Sequence, residues 1–321
     1  MITSRIISTG SALPSAVATN DYLSTIVETS DEWIRTRTGI KERRIATTED
    51  TTSLAISAGR AALDASGLSA KALDLILVAT LTPTQFMPNT ACSVQAALGA
   101  TSAVCFDINA ACSGFIFALQ TAHSYIVSGL SHYALVIGAE SLSKAVDWKD
   151  RSTCVLFGDG AGATILGADS DGILQNLSGS DGSKGSILTY GGLPFKNPFI
   201  TKETNSPYIS MNGQEVFKFA VRKIPELIIE LTQKEGISIS ELQCILLHQA
   251  NERIIQAAAK HLSLPIDLFP MNLDCYGNTS AASLAILLDE VNQAKKLERG
   301  KPLILAGFGG GMTWGSILMN W

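Results

Sequence analysis

The 321-residue chain has no CxxC pair and no close grouping of cysteine with histidine. Its six cysteines, Cys92, Cys105, Cys112, Cys154, Cys244 and Cys275, lie at long spacings. A disulfide framework and a cysteine-based metal site are thereby set aside, and reduced thiols in a cytoplasmic setting are expected. Nor does any run approach the roughly 18–20 apolar residues of a membrane span. The opening stretch MITSRIISTGSALPSAVATN lacks a continuous apolar core behind its arginine, so no signal peptide is expected. Charge is sparse at 17% with a net −5, which offers no global reason to expect nucleic acid or an anionic membrane as partner. What the chain has instead is 46% hydrophobic residues, over a length that suits one large domain or two closely packed halves.

Apolar β-rich runs alternate with helical patterns. LDLILVAT (73–80), AVCFDIN (103–109), HYALVIGAE (132–140) and CVLFGDGAGATILGA (154–168) read as strands covered on both faces. NTACSVQAALGA (89–100) and a longer segment starting near Cys112 read as helices. The order then recurs. LQCILLHQA (242–250) is a strand and NERIIQAAAKHLSL (251–264) a helix, 268–294 is a strand-like stretch leading into a long helix, and 301–321 is two strands joined at glycines. This is an α/β layout written twice. It predicts a first half over 1–168, hairpins and loops over the Gly/Ser/Asn/Pro-rich 169–215, and a second half over 216–321. Laying one half on the other puts Cys112 and Asn278 at the same topological place, the start of the long helix. Between 11 and 50 an elaboration carries TSDEWIRTRTGIKERRI, read as a short helix capped by Thr29 or Ser30 and followed by a basic loop.

Cys112, in AACSGF, stands at a strand-to-helix turn, where free N–H groups and peptide dipoles lower a thiol pKa and small neighbours admit a substrate carbonyl. Of the four histidines, His123, His132 and His261 sit on helices or at a strand start and read as packing or surface residues. His248 ends the apolar strand CILLHQAN, at the carboxyl edge where α/β sites gather. Asn278, in YGNTSAAS, follows Gly277 at the second helix start. Cys112, His248 and Asn278 are therefore the candidate catalytic trio.

AACSGF, GDGAGA, HQAN, GNTSAAS and GFGGGMTWGS, in this order and across both halves, resemble the β-ketoacyl-acyl carrier protein synthase III family, as does TSDEWIRTRTGIKERR near the N-terminus. The likeness runs from about residue 2 to 321. It implies a thiolase-like fold, two duplicated α/β halves in five αβαβα layers, and a homodimer. It also implies that Cys112 takes an acyl group from acyl-CoA, acetyl-CoA by default. Malonyl-acyl carrier protein is then decarboxylated and condensed onto that acyl group to start fatty-acid synthesis, with no tightly bound cofactor and no metal. The resemblance makes the backbone N–H groups of Cys112 and Gly310 the oxyanion donors, and His248 and Asn278 the donors to the enolate oxygen. Asparagine takes up no proton at neutral pH, so Asn278 can donate but not act as base.

For the CoA thioester, the resemblance sets Trp33 and Arg151 about the adenine and Arg37 on the phosphates. It lines the pantetheine channel with Gly213, Phe217 and Asn251, and adds Thr29 and Met211. Carrier-protein docking maps onto Lys218, Arg253 and Lys260, with Arg222 and Lys223 adding charge. His261 stands where better-known members carry a second lysine, and Glu252 adds an acid beside Arg253; both changes weaken the basic face. Met87 matches the residue that reaches into the partner subunit's acyl pocket, and its flexible side chain predicts tolerance of primers longer than acetyl. The alternatives are a relative of secondary metabolism with another primer, extender or acceptor, and a non-catalytic acyl-CoA-binding scaffold. A Cys-His-Asn peptidase is disfavoured by the flanking motifs.

Overall fold

The computed structural model describes residues 2–191, 197–199 and 206–321. The chain begins β1 (Thr3–Ala12), β2 (Ala16–Thr19), α1 (Asn20–Ser24), α2 (Asp31–Thr38), β3 (Glu42–Ile45) and α3 (Thr51–Ser66). It continues β4 (Leu75–Ala79), α4 (Thr90–Leu98), β5 (Val104–Ile108), α5 (Gly114–Val127), β6 (Tyr133–Ser141), α6 (Arg151–Cys154) and β7 (Asp159–Asp169). Then follow β8 (Ile173–Ser180), β9 (Leu188–Tyr190), β10 (Ile209–Met211), α7 (Gly213–Glu235), β11 (Cys244–Leu247) and α8 (Glu252–Leu262). The chain closes with α9 (Leu273–Tyr276), α10 (Ala281–Gln293), β12 (Pro302–Gly309) and β13 (Thr313–Asn320).

The duplication is visible in the sheets. The first has the order β1-β7-β6-β4-β5, with β1/β7 and β7/β6 antiparallel and β6/β4 and β4/β5 parallel. The second, read β8-β13-β12-β11, repeats two antiparallel pairings and one parallel one. Its edge strand β8 comes from within 169–215; parts of that segment, 192–196 and 200–205, lie outside the described residues. The strand-like stretch expected to open 268–294 is not a strand. Pro270 offers no N–H to a ladder, and a 3₁₀ turn over Ile266–Leu268 and the short α9 flank it instead. Likewise 154–158 is not strand, because Asp150 caps α6 through the Ser152 N–H (2.9 Å) and β7 begins only at Asp159.

Successive strand residues point to opposite faces, and each face has its own core. From β4, Leu75, Leu77 and Ala79 join the core that also holds α5 and α10, whereas Ile76 and Val78 pack with α3 and α4. From β12, Leu303 and Leu305 meet the central core, whereas Ile304, Ala306 and Phe308 pack with α7 and α8. The layers are therefore helix, sheet, paired central helices, sheet, helix. The two central helix starts are pressed together: a Cβ on Gly114 would sit 3.6 Å from the Ala281 Cβ. The tighter neighbour is Ala79 of β4, whose Cβ that added carbon would meet at 3.2 Å.

Candidate active site

Cys112 lies in a one-turn 3₁₀ helix, Ala111–Ser113, that feeds α5, and Ala111 before it takes a left-handed φ of +46°. The thiol is therefore just outside the α-helical start. Burial pushes it up to about 12; the nearby Ser280 and the cysteine's own N–H draw it down, while the Glu140 charge raises it. The expected lowering at the helix mouth is thus reversed, because desolvation outweighs the N–H groups there. Gly309 of β12 packs against this turn, where a Cβ would fall 2.7 Å from the Cys112 nitrogen.

His248 follows β11, its N–H bonded to the Ala306 carbonyl (2.9 Å). The ring is buried, meets Phe308 edge-on with centroids 5.6 Å apart, and places Nδ1 2.7 Å from Ser283 Oγ. Burial lowers its pKa to about 3, so the imidazole is neutral. Asn278 is held by its backbone, bonding the Leu156 carbonyl (2.8 Å) and accepting from Gly158 N–H (3.1 Å). Its Oδ1 accepts the Ser280 N–H at 2.8 Å. Since that N–H can only donate, the opposing atom is the amide oxygen, and Nδ2–H₂ is left for the cavity.

Cys112, His248 and Asn278 line one cavity of about 450 Å³, together with Arg37, Met211, Gly213, Phe217, Asn251 and Arg253, all singled out in the sequence. Two guanidinium groups lie over the Trp33 ring, Arg37 at 4.8 Å and Arg151 at 4.7 Å from its centroid. Arg151 also donates to the Glu28 carbonyl (2.9 Å), next to Thr29, whose buried hydroxyl has no protein partner among the described residues. Ser30, not Thr29, caps α2. Asn251 caps α8 and donates to the Arg37 carbonyl (3.0 Å), tying the two elements that flank the cavity. Gly310 lines a second cavity of about 170 Å³ that Cys112 also lines, with Leu142, Phe157 and Leu188. Met87 is 88% exposed and lines neither of these two cavities.

The cationic candidates divide. Lys218 and Arg222 are exposed on α7 near Glu215 and Glu226, and Lys260 is exposed on α8. Arg253 lies 5.7 Å over the Phe217 ring at the cavity. Lys223 is turned inward, 4.8 Å over Trp314 and bonded to Glu226 at 2.6 Å. The supposed basic loop is also different: Arg43 of β3 is fully buried, donating to the Ala18 and Val155 carbonyls and to Asn20, and burial lowers its pKa to about 10.

Sequence reasoning missed Glu140, at the end of β6. It is buried and accepts from Thr80, from the Leu81 and Thr82 N–H groups and from the Thr82 hydroxyl (2.5 Å); burial raises its pKa to about 7. Ser280, at a left-handed φ of +48°, lies near both this carboxyl and the Cys112 thiol and draws both pKa values down, though its buried hydroxyl has no partner of good hydrogen-bond geometry. The acid at a strand's carboxyl end was a visible signal; the burial was not. The remaining histidines are peripheral: His123 bonds Ser4 (2.9 Å), His132 lies by Asp74, and His261 is on α8.

Two family models match, both described as 3-oxoacyl-[acyl-carrier-protein (ACP)] synthase III: one over residues 106–182, and one for its C-terminal part over 232–321. A beta-ketoacyl-[acyl-carrier-protein] synthase III of Clostridium botulinum (strain 657 / Type Ba4) is 53% identical over 319 residues, covering 98% of each chain. The crystal structure of 3-oxoacyl-[acyl-carrier-protein] synthase III from Aquifex aeolicus VF5 superposes with a TM-score of 0.93 at 48% identity, over 99% of this chain and 100% of that one. The enzyme of the same name from Thermus thermophilus gives 0.93 at 40% identity, over 99% of each chain.

Proposed function

The chain belongs to the 3-oxoacyl-[acyl-carrier-protein] synthase III family, and from that premise we propose that it is the acyltransferase that initiates fatty-acid synthesis. Cys112 is acylated by acyl-CoA, and condensation with malonyl-acyl carrier protein then yields 3-oxoacyl-acyl carrier protein, CO₂ and CoA. The observation that carries this reading is that Cys112, His248 and Asn278 line one cavity with the Asn278 amide N–H₂ turned toward it.

In the first half-reaction the Cys112 sulfur attacks the thioester carbonyl. The oxyanion is held by the N–H groups of Cys112 and Gly310, and collapse expels the CoA sulfur, which leaves with the proton the thiol gave up. A thiol raised to about 12 supports proton loss coupled to attack, not a resting thiolate. In the second, loss of CO₂ leaves an enolate whose oxygen accepts from His248 Nε2–H and Asn278 Nδ2–H. The α-carbon attacks the acyl-cysteine, the C–S bond breaks as the tetrahedral intermediate collapses, and the released Cys112 sulfur takes up a proton from solvent, its own having left with CoA. The neutral imidazole supports a donor's role for His248 in this step.

The Arg37–Trp33–Arg151 cluster at the cavity side suits an adenine and phosphates, with the pantetheine passing Gly213, Phe217 and Asn251. Lys218, Arg222, Arg253 and Lys260 form the docking face for the acidic carrier protein; Lys223, packed on Trp314, contributes less. Met87 and Phe86, 88% and 70% exposed, precede α4, whose first N–H groups bond Asp107 of edge strand β5. Their exposure supports a homodimer in which Met87 enters the partner's acyl pocket. No described helix is long and apolar enough to cross a membrane. The CoA substrates and six unpaired cysteines fit a cytoplasmic enzyme.

Intact-protein mass spectrometry with a panel of acyl-CoAs, before and after malonyl-acyl carrier protein, tests this. A Cys112 adduct that disappears on adding the malonyl donor, with a 3-oxoacyl product, is the expected result. An adduct that persists means another acceptor or extender.

A further inference from the structure

Ser283 lies in the first turn of α10, within the GNTSAAS motif, and touches neither cavity. A serine in a helix commonly returns its hydroxyl to the carbonyl four residues back. Here that carbonyl, of Thr279, accepts the Ala282 N–H (3.0 Å), and the Ser283 hydroxyl turns instead to His248, 2.7 Å from Nδ1. The same oxygen accepts the Gln249 backbone N–H at 3.4 Å. Ser283 is 2% exposed, so its hydroxyl proton has no access to bulk solvent.

We propose that Ser283 is a positioning residue that sets the tautomer of His248: its hydroxyl donates to Nδ1, so the ring carries its proton on Nε2, the nitrogen left for the cavity. A hydroxyl has one proton and two lone pairs, and a backbone N–H can only donate. With one lone pair of Ser283 taken by Gln249, a protonated Nδ1 would take the other and leave the hydroxyl proton buried with no acceptor among the described residues. With Nδ1 unprotonated, every one of these groups is satisfied. Burial keeps the ring neutral, so the placement of its one proton, not its charge, determines whether it can donate to a developing enolate oxygen. The inference rests on the condensing reading only for the step that it affects.

The test uses the full chain carrying ¹⁵N-histidine. Four histidines give a simple spectrum, with His248 identified by its loss in His248→Gln. Long-range ¹H–¹⁵N correlation reads the tautomer directly. The expected result is Nε2–H in the parent and a mixture or the Nδ1–H form in Ser283→Ala. Decarboxylation of malonyl-acyl carrier protein should be about tenfold slower in that variant, and acylation of Cys112 unchanged. An Nδ1–H ring in the parent overturns the proposal whatever the activity. So does a Ser283→Ala protein that keeps the parent's tautomer, whether both half-reactions are retained or fall equally. A parent that acquires no acyl group from any acyl-CoA counts against the condensing reading instead, and the spectrum still decides the tautomer.

Discussion

The two sheets share a backbone plan but carry opposite chemistry at matching places. In the first, β4 pairs with β6 so that Ala79 faces Gly138; in the second, β11 pairs with β12 so that Leu247 faces Ala306. One residue beyond β4 and β11 stand Thr80 and His248. Two residues beyond Gly138 and Ala306 stand Glu140 and Phe308. The first half therefore buries a carboxyl bonded by Thr80, and the second a neutral imidazole set edge-on to an aromatic ring. Just ahead of their central helices stand Cys112 and Asn278, a thiol and an amide that line the same cavity. Under the proposed function, the repeated plan sets two helix starts side by side and divides covalent capture from enolate stabilisation between them.

The sharpest way to break this comparison is to remove one member from each half. Cys112→Ala should abolish acylation outright, read by mass spectrometry. His248→Ala or Asn278→Ala should leave Cys112 acylation within a few-fold and slow decarboxylation of malonyl-acyl carrier protein by roughly 10²–10³. If the second-half variants lost acylation equally, the division of labour would be wrong.

Next comes the seam between the halves. Gly309→Ala places a Cβ against the Cys112 nitrogen, and should lower stability by about 1–3 kcal/mol. Acylation should fall with it, checked by urea unfolding and acylation rate on the same preparation.

A smaller, pH-dependent effect sharpens the contrast between the buried acid and the buried imidazole. Folding raises the Glu140 pKa from 4.5 to about 7, so the folded state holds that proton more tightly than the unfolded chain. Its contribution to stability is accordingly full below pH 4.5, declines as pH rises toward 7, and is absent above. The stability of Glu140→Gln relative to the parent should rise by roughly 3 kcal/mol across that window. Iodoacetamide should also alkylate Cys112 faster in this variant above pH 7, because the nearby anion is gone. A pH-independent difference between the two proteins would show that Glu140 does not titrate there. The smallest change expected is in primer choice: Met87→Phe should reduce acylation by hexanoyl- and octanoyl-CoA relative to acetyl-CoA, within about tenfold.

Much of the strand order was legible because fully covered strands read as unbroken apolar runs, as in LILVA and ALVIGAE. The failures have local causes. The run from residue 268 is apolar enough for a strand but contains Pro270, and Cys154 was drawn into a helical turn capped by Asp150, so that β7 starts later than expected. That Cys112, His248 and Asn278 would gather at one place was legible because each stands just past a strand or just ahead of a helix. The inward stacking of Lys223 and the burial of Arg43 were invisible, since charge in a sequence carries no direction.

The sequence by itself determined the alternation of elements, their repetition and the residues at the ends of strands and starts of helices, because backbone hydrogen bonding and apolar periodicity are local. Only the tertiary structure decided the electrostatics. Burial raised Cys112 and Glu140, lowered His248, and brought Ser280 and Ser283 beside them from one helix start. A group's solvation and partners depend on chain segments far away in sequence, and no local pattern encodes them.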